Sequence, residues 1–217
     1  MSGRDDKKRA LAEAKACLPI PLTSGLFNQT AVLPYGLTVH DIQKAMGEFL
    51  EFLGFINAQL HTKKIERLES FLMPANFSSI VGEFMAASIP KHCKTLARNT
   101  YHNGHPDLVP AGMYPHNAAQ HEPEGIEVKG SRHESGWQGH NAEDVWLMVF
   151  VFDSNTSADV SKGIAPKPFK FVKVVGARIQ KSDWNFSGRS ETSRRTITAS
   201  VTRSGFEKME ANWIYRG

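Results

Sequence analysis

The segment Val145–Asp153 has the sequence VWLMVFVFD and contains the longest apolar run in the chain. Eight consecutive apolar residues that end at an aspartate are typical of a strand covered on both faces, as central strands are. The run is much shorter than the roughly 18 apolar residues that a membrane span needs. The segment therefore predicts a strand inside a sheet that has other layers on its faces.

Further strands are predicted on both sides of this segment. Ile126–Ser131 precedes it as a short strand, and Phe169–Ile179, with the sequence FKFVKVVGARI, follows it as a longer one. Residues 196–203 alternate hydroxyl and apolar side chains, which predicts a strand with one wet face. Loops rich in Gly, Ser, Asn or Pro separate these segments at 130–144 and 154–168. The half of the chain after residue 100 is therefore expected to form most of the sheet.

The first hundred residues favour helices. Residues 4–17 are rich in helix formers and predict a short, exposed helix. Thr38 and Asp41 form a capping-box pattern, and apolar residues then recur every three or four positions up to Leu60. The pattern continues through Leu72, and Pro74 is expected to end the helix.

A second, shorter helix is predicted over residues 80–88. Ser78 or Ser79 is expected to cap it, and Pro90 is expected to stop it. Glu83 falls at the edge of its apolar face, where a carboxylate reaches water or a partner.

These elements predict an α/β (α+β mixed) chain with a central mixed β-sheet flanked by helices. The 217 residues fit one domain, divided here into an N-terminal helical region, 1–77, packed on a core, 78–217. Hydrophobic residues make up 41% and charged residues 22%, which excludes a disordered or fibrous chain.

The N-terminal residues and the cysteines predict a cytoplasmic location. The N-terminal residues are charged and lack the apolar stretch of a secretory signal. Cys17 and Cys93 are too few for a disulfide framework, and a reducing compartment is the ordinary one for such a chain. No membrane partner is expected.

The basic residues are concentrated in the second half of the chain. The net charge is +4, and 14 of the 26 basic residues but only 9 of the 22 acidic ones lie from Lys129 onward. An excess of positive charge on one part of a protein favours a polyanion such as nucleic acid, although a solvated basic surface has the same composition.

One group of charged residues predicts a catalytic site. Asp107 follows a Gly-His-Pro turn, and Glu127 and Lys129 lie 20 and 22 positions further on in the predicted strand. Alternation along a strand places Glu127 and Lys129 on one face, so two carboxylates and an ammonium converge if Asp107 ends a neighbouring strand. Two carboxylates with a backbone carbonyl and waters suit Mg²⁺, and a nearby lysine suits the activation of a water. Together they predict the hydrolysis of a phosphodiester.

The pattern Pro-Asp, a gap, then Glu-x-Lys resembles the PD-(D/E)XK nucleases, which include the type II restriction endonucleases. The resemblance covers residues 78–153 and implies a restriction-endonuclease-like core: a helix, a three-stranded meander, a helix and a further strand. By this resemblance Asp107 and Glu127 match the metal-binding carboxylates, and Lys129 matches the catalytic lysine. The family also implies a metal contact from the Val128 carbonyl and from an acidic residue on the preceding helix, which Glu83 matches.

The function expected from the resemblance is a Mg²⁺-dependent endonuclease that cuts double-stranded DNA, most simply a site-specific type II restriction enzyme. A repair or junction nuclease of the same superfamily and a non-catalytic nucleic-acid-binding protein are the alternatives. No GxxxxGK[ST] motif is present, so no nucleotide cofactor is expected. Cutting both strands of a symmetric site predicts a homodimer, for which helix 38–60 offers an apolar surface.

Two segments are predicted to contact DNA, because they combine basic, amide and aromatic side chains. The first follows the catalytic strand and contains Arg132, His133, Trp137, Gln138, His140 and Asn141. The second contains Lys181, Trp184, Asn185, Arg189, Arg194, Arg195 and Arg203.

The histidines offer a competing metal site. Six of the nine lie between His102 and His140, and the His102-x-x-His105 spacing could hold a transition metal on a turn. No cysteine joins them, so the interpretation preferred here is that they line the mouth of the site.

Overall fold

The computed structural model describes residues 3–139, 141–187 and 198–217, and it confirms the predicted α/β class. A mixed six-stranded sheet forms the middle layer, helices cover one face, and a small second sheet with a helix covers the other. In the described residues the α-helices are α1 Gly3–Ala16, α2 Val39–Thr62, α3 Leu68–Phe71, α4 Pro74–His92 and α5 Arg203–Ala211. The strands are β1 Leu96–Arg98, β2 Leu108–Pro110, β3 Ile126–Ser131, β4 Gln138–Gly139, β5 Val145–Asp153, β6 Lys170–Ile179, β7 Trp184–Ser187, β8 Thr198–Val201 and β9 Trp213–Arg216.

The main sheet has the strand order β1-β2-β3-β5-β6-β9. Its neighbours are antiparallel except β3 and β5, which run parallel and pair Ile126 with Trp146 through Ser131 with Val151. The small sheet has the order β4-β8-β7 and is antiparallel. The bounds of β3 and β5 coincide with those predicted from the sequence.

Strand β5 divides the core into two parts, as its unbroken apolar sequence predicts. The even-numbered side chains from Trp146 to Phe152 pack in a cluster with α2 and α4. The odd-numbered ones from Val145 to Val151 pack on the other face, against β8 and α5. Every side chain from Val145 to Phe152 is buried, so both faces contribute to the hydrophobic stabilisation.

Helix α2 begins as predicted and ends earlier than predicted. The Thr38 hydroxyl accepts the Asp41 N–H while the Asp41 carboxylate accepts the Thr38 N–H, which completes the capping box. The expected continuation through Leu72 is wrong, because the chain adopts a left-handed conformation at Lys64 and folds back along α2. The Asn57 side chain accepts the Leu68 N–H and fixes this reversal.

Helix α4 is longer than predicted at both ends. Pro74 was expected to end the preceding helix, but it lies in the first turn of α4. A proline is tolerated there because the N–H that it lacks would have no partner within the helix. Pro90 lies inside the last turn and does not stop the helix, which continues to His92. That turn is held by Glu48 of α2, which lies 3.0 Å from both Lys91 Nζ and His92 Nε2.

The division at residue 77 falls within α4, so the N-terminal helices and the sheet share one helix and one core. Helix α4 is followed by the antiparallel strands β1, β2 and β3, which agrees with the expected helix and meander. The expected helix after the meander is not found in residues 132–139 and 141–144, where the chain instead forms β4. Strands β1, β2, β4, β7 and β9 and helix α5 were not predicted individually.

Two glycines let α4 approach β3 closely. A Cβ at Gly130 would overlap the Ser78 carbonyl oxygen and the Val81 side chain of α4. A Cβ at Gly82 would lie 3.4 Å from the Val128 carbonyl oxygen. The helix therefore lies directly on the strand that contains Glu127 and Lys129. In the described residues, none of the helices is long and apolar enough to cross a membrane.

Candidate active site

The predicted catalytic residues lie together in a cavity of about 440 Å³ at the edge of the sheet where β2, β3 and β5 begin. Asp107 immediately precedes β2, and Glu127 and Lys129 are the second and fourth residues of β3. All three side chains line the cavity. The convergence expected from the alternation of β3 is therefore present in the structure.

The alternation of β3 separates core from site as predicted. Ile126 is fully buried and Val128 is 6% exposed, both in the cluster against α4. Glu127 and Lys129 project to the opposite side, where Lys129 Nζ lies 3.2 Å from Glu127 Oε1. The lysine side chain is 21% exposed, so its ammonium is close to the carboxylate and still accessible to a ligand.

Asp107 is fixed by the backbone of β3. Its Oδ2 accepts the Val128 N–H at 2.8 Å. Burial raises the pKa of Asp107, and the negative charge of Glu127 raises it further. Burial also raises the pKa of Glu127, but hydrogen bonding to His105 and the charge of Lys129 outweigh it and lower that pKa. Of the two carboxyl groups, Glu127 therefore holds its negative charge more firmly.

The start of β3 is positioned by a tyrosine from the N-terminal part of the chain. The Tyr35 hydroxyl donates to Glu124 Oε2 at 2.7 Å and accepts the Gly125 N–H at 2.9 Å. Gly125 has a φ of 145°, and a Cβ there would overlap the Leu108 carbonyl oxygen of β2. A glycine is therefore needed where β2 and β3 meet beside Asp107.

His105 and Glu143 form a part of the site that the sequence did not predict in this role. His105 Nδ1 lies 3.0 Å from Glu127 Oε2, and its Nε2 lies 2.7 Å from Glu143 Oε2 without the alignment of a hydrogen bond. Burial lowers the pKa of His105, but the neighbouring Glu127 outweighs this and raises it. The imidazole therefore lies between two carboxylates, with the His121 ring stacked on it at 5.5 Å.

A weak signal for Glu143 exists in the sequence. It lies two residues before β5, at the point where a polar segment gives way to the longest apolar run. Its position beside Glu127 depends on the parallel pairing of β3 and β5, which brings the starts of both strands to one edge.

Glu83 lies at the rim of the same cavity, as expected for a residue of α4 near β3. Its carboxylate pairs with the Arg98 guanidinium, and its side chain is 65% exposed. The structure therefore places Glu83 near the other three residues but engages it in an ion pair.

The donor set suits a hard divalent cation. Asp107 and Glu127 present carboxylate oxygens to one cavity, and their mutual repulsion contributes to the raised pKa of Asp107. A cation between them would relieve that repulsion, and carboxylates with carbonyl oxygen and water are the ligands that Mg²⁺ prefers. Asp107 and Glu127 would hold such an ion, and Glu83 lines the same cavity, whereas Val128, whose carbonyl the resemblance implies as a ligand, is not among the residues that line it. The residues present fit Mg²⁺ in this sense.

The competing histidine site has no arrangement that favours it over the carboxylates. Within the described ranges, no group of three His, Cys, Asp or Glu side chains has the arrangement of a metal site, and this applies to the carboxylates around Asp107 as well. His105 contacts Glu127 and Glu143, while His102 lines a neighbouring cavity next to Asn103.

Five predicted DNA-contacting residues are exposed, and one of them, Asn141, lines the cavity. They are His133, Gln138, Asn141, Lys181 and Asn185. Trp184 is 8% exposed, donates its indole N–H to the Glu143 carbonyl at 2.9 Å and forms part of the cavity wall. Arg203 is exposed and pairs with Glu207 on α5.

Two of the predicted DNA contacts are corrected by the structure. The Arg132 guanidinium donates to the Ser154 and Asn155 carbonyls at 2.9 Å and lies over the Phe77 and Phe152 rings. Trp137 is 3% exposed and donates to the His133 carbonyl. Neither side chain can reach a duplex without breaking these contacts. His140, Arg189, Arg194 and Arg195 lie outside the described residues.

Comparison with known proteins adds no family to this description. No protein-family model, curated protein or solved structure matches the chain.

Proposed function

We propose that the protein is a Mg²⁺-dependent endonuclease that hydrolyses phosphodiester bonds of double-stranded DNA, in its most specific form a type II restriction enzyme. The observation that supports this proposal is the convergence of Asp107, Glu127 and Lys129 in one cavity. The resemblance of their spacing to the PD-(D/E)XK pattern adds the substrate class.

Each of the three residues has a separate task in this proposal. Asp107 and Glu127 hold the cation, which would supply Lewis acidity and charge neutralisation at the scissile phosphate. Lys129 orients the attacking water and stabilises the negative charge that develops on the phosphoryl oxygens. The water loses a proton to solvent as its oxygen forms a bond to phosphorus, the bond from phosphorus to the leaving oxygen breaks, and the leaving oxygen takes a proton from solvent.

His105 and Glu143 act on the orientation of Glu127. With Nδ1 3.0 Å from Glu127 Oε2, the imidazole limits the directions in which that carboxylate can point. Glu143 holds the ring from the other side at 2.7 Å. A fixed carboxylate loses less conformational freedom when it binds an ion, which favours a preorganised site.

Incubation of the purified protein with plasmid and phage DNA in Mg²⁺ tests the proposal. Discrete bands indicate site-specific cleavage, and a smear indicates a nonspecific nuclease. A cleaved branched substrate beside intact linear duplex indicates a junction nuclease. DNA binding with no cleavage under any divalent cation favours the non-catalytic alternative.

Variants connect any cleavage to this site. Lys129→Ala, Asp107→Asn and Glu127→Gln are each expected to lower turnover about 10²–10³-fold, since each removes a group that acts on the transition state. Lys44→Ala is the matched control, because Lys44 is an exposed lysine on α2. A folded Lys129→Ala variant that cleaves at the wild-type rate would remove the assignment of the site.

A further inference from the structure

A second cavity continues the candidate active site toward β1. It has a volume of about 580 Å³ and is lined by residues 98–104 together with Glu83 and Asp107. Glu83, Asn103, Gly104 and Asp107 line both cavities. The two cavities therefore form one groove that passes over Asp107.

The wall of the second cavity is held in a defined shape by one side chain. Asn99 Nδ2 donates to the Pro106 carbonyl at 2.9 Å and the Ala119 carbonyl at 2.7 Å. Its Oδ1 accepts the N–H groups of Tyr101 and Ala119, both at 3.0 Å. All four hydrogen-bonding positions of the amide are used, so the loop is built before any ligand arrives. The exposed side chains on it are Thr100, Tyr101, His102 and Asn103.

The ion pair between Glu83 and Arg98 lies where the two cavities join. Both side chains are more than half exposed, at 65% and 55%. Exposed pairs of this kind stabilise a protein by only about 0–1 kcal/mol, because water solvates the separated charges almost as well. Either partner can therefore exchange the other for a ligand at small cost.

We propose that Arg98 binds a phosphate of the DNA strand that occupies this groove and, in doing so, releases Glu83 to the divalent cation beside Asp107. This inference rests on the proposed nuclease function. A guanidinium binds a phosphate through two parallel N–H bonds, an arrangement stronger than a single contact with a carboxylate. The released Glu83 carboxylate adds a third negative group to the rim where Asp107 and Glu127 already lie.

The exchange couples two binding events. A duplex that removes Arg98 from Glu83 raises the affinity for the cation, and by thermodynamic linkage the cation raises the affinity for the duplex equally. Arg98 is thus a phosphate-binding residue, and Glu83 is a cation ligand only in the DNA complex.

Two binding measurements test the exchange without relying on cleavage. Calorimetry measures the affinity for Ca²⁺ with and without a duplex of mixed sequence, and fluorescence anisotropy measures the affinity for the same duplex against KCl concentration. In the wild type the duplex is expected to raise Ca²⁺ affinity about tenfold. Arg98→Ala should lose most of that increase and lower the log–log salt slope by about one unit.

Glu83→Gln separates the two halves of the exchange. Without divalent ions it should bind the duplex more tightly than the wild type, because Arg98 no longer has a competing carboxylate. With duplex present it should bind Ca²⁺ more weakly. Arg178→Ala is the matched control, since Arg178 is a 41% exposed arginine that pairs with Glu124 outside both cavities.

The outcomes distinguish this inference from the function on which it rests. An Arg98→Ala variant that binds Ca²⁺ and DNA as the wild type does would overturn the exchange while leaving cleavage by Asp107, Glu127 and Lys129 intact. A wild-type protein that binds no duplex at any salt concentration would overturn both. Unfolding curves that match the wild type confirm that the exposed substitutions leave the fold unchanged.

Discussion

Asp107 and Glu127 carry the same functional group in two different electrostatic settings. Glu127 has nitrogen partners on both of its oxygens, the Lys129 ammonium and the His105 imidazole, whereas Asp107 accepts a backbone N–H and faces a neighbouring negative charge. This asymmetry means that loss of Glu127 leaves the Lys129 ammonium and the His105 ring without their partner. Loss of the Asp107 charge instead relieves a repulsion.

Arginine is a residue type that often contacts DNA, but the Arg132 side chain makes its contacts within the fold. We expect Arg132→Met to lower the free energy of unfolding by about 2 kcal/mol, because the Ser154 and Asn155 carbonyls lose a charged donor. The salt dependence of DNA binding should stay unchanged. Urea unfolding and anisotropy measurements against KCl check the two parts.

Lys181→Ala is the contrasting variant, since Lys181 is exposed in the second predicted DNA segment. It should leave stability within about 0.5 kcal/mol of the wild type and reduce the salt slope by about one unit. If Arg132→Met reduces the slope while stability is retained, the original expectation for Arg132 is restored.

The contacts of Asp183 predict that part of the free energy of unfolding depends on pH. Burial raises its pKa, but hydrogen bonds from Lys208 Nζ at 2.7 Å, the Gln180 N–H at 2.9 Å and Ser204 outweigh it and lower the pKa. A pKa below that of the unfolded chain, about 4, stabilises the fold at pH above that value and loses this effect as pH falls through the folded pKa.

Asp183→Asn should therefore destabilise the protein at neutral pH by about 1–2 kcal/mol and by much less at pH 3. Urea unfolding at a series of pH values measures this, with Glu66→Gln as a control at an exposed carboxylate. Parallel pH profiles for wild type and Asp183→Asn would show that Asp183 does not contribute in this way.

At the scale of elements, the contact of α4 with β3 determines where Glu83 lies relative to Glu127. Gly130 lies against the backbone of α4 at Ser78, and Gly82 lies against the backbone of β3. No side chain separates the two elements at these positions. The distance between helix and strand is consequently set by backbone atoms, which cannot adjust as a flexible side chain can.

The two glycines give a matched pair of substitutions. Gly130→Ala should destabilise the fold by about 2 kcal/mol and reduce cleavage, because its methyl group overlaps the Ser78 carbonyl and displaces α4. Gly82→Ala should stay within about 1 kcal/mol of the wild type, since its nearest contacts are 3.4 Å away and alanine favours a helix. Thermal unfolding and plasmid cleavage of both variants check the prediction. Equal losses would mean that α4 approaches β3 differently.

At the scale of the whole molecule, most of the apolar surface expected for a dimer is used internally. Val39, Ile42, Met46, Phe49 and Leu53 of α2 are buried in the core. An apolar groove of about 490 Å³ remains between α2 and residues 18–22, with Leu18 67% and Phe55 64% exposed. Most apolar side chains of α2 therefore belong to the core, and only those at the outer edge of the helix remain available to a partner.

A homodimer remains our prediction, because a protein with one active site generally pairs with itself to cut both strands of a two-fold symmetric site, as the proposed function needs. Light scattering should give twice the chain mass, free or on DNA, and Phe55→Glu should shift the protein toward the monomer if the groove is the interface. Val32→Glu is the control, as Val32 is a 75% exposed apolar residue elsewhere. A strict monomer in both states would contradict the prediction.

The sequence by itself determined the features that depend on neighbours along the chain. The bounds of β3 and β5, the capping box of α2 and the shared face of Glu127 and Lys129 all follow from local periodicity, since side-chain direction in a strand repeats every second residue. These predictions needed no knowledge of what packs against them. The proximity of Asp107 was expected only on the condition that it ends a neighbouring strand; it lies directly before β2, and the pairing of β2 with β3 brings it to the site.

Only the tertiary structure decided which distant segments meet. Glu143 joins the site because β3 and β5 pair in parallel, and His105 joins it because β2 begins beside the start of β3. Arg132 packs over Phe77 of α4, and Trp137 packs against Phe206 of α5. Pro90 lies inside α4, and the last turn of that helix contacts Glu48, more than 40 positions earlier. Such contacts join residues far apart in the chain, so their free energy leaves no periodic pattern in the sequence.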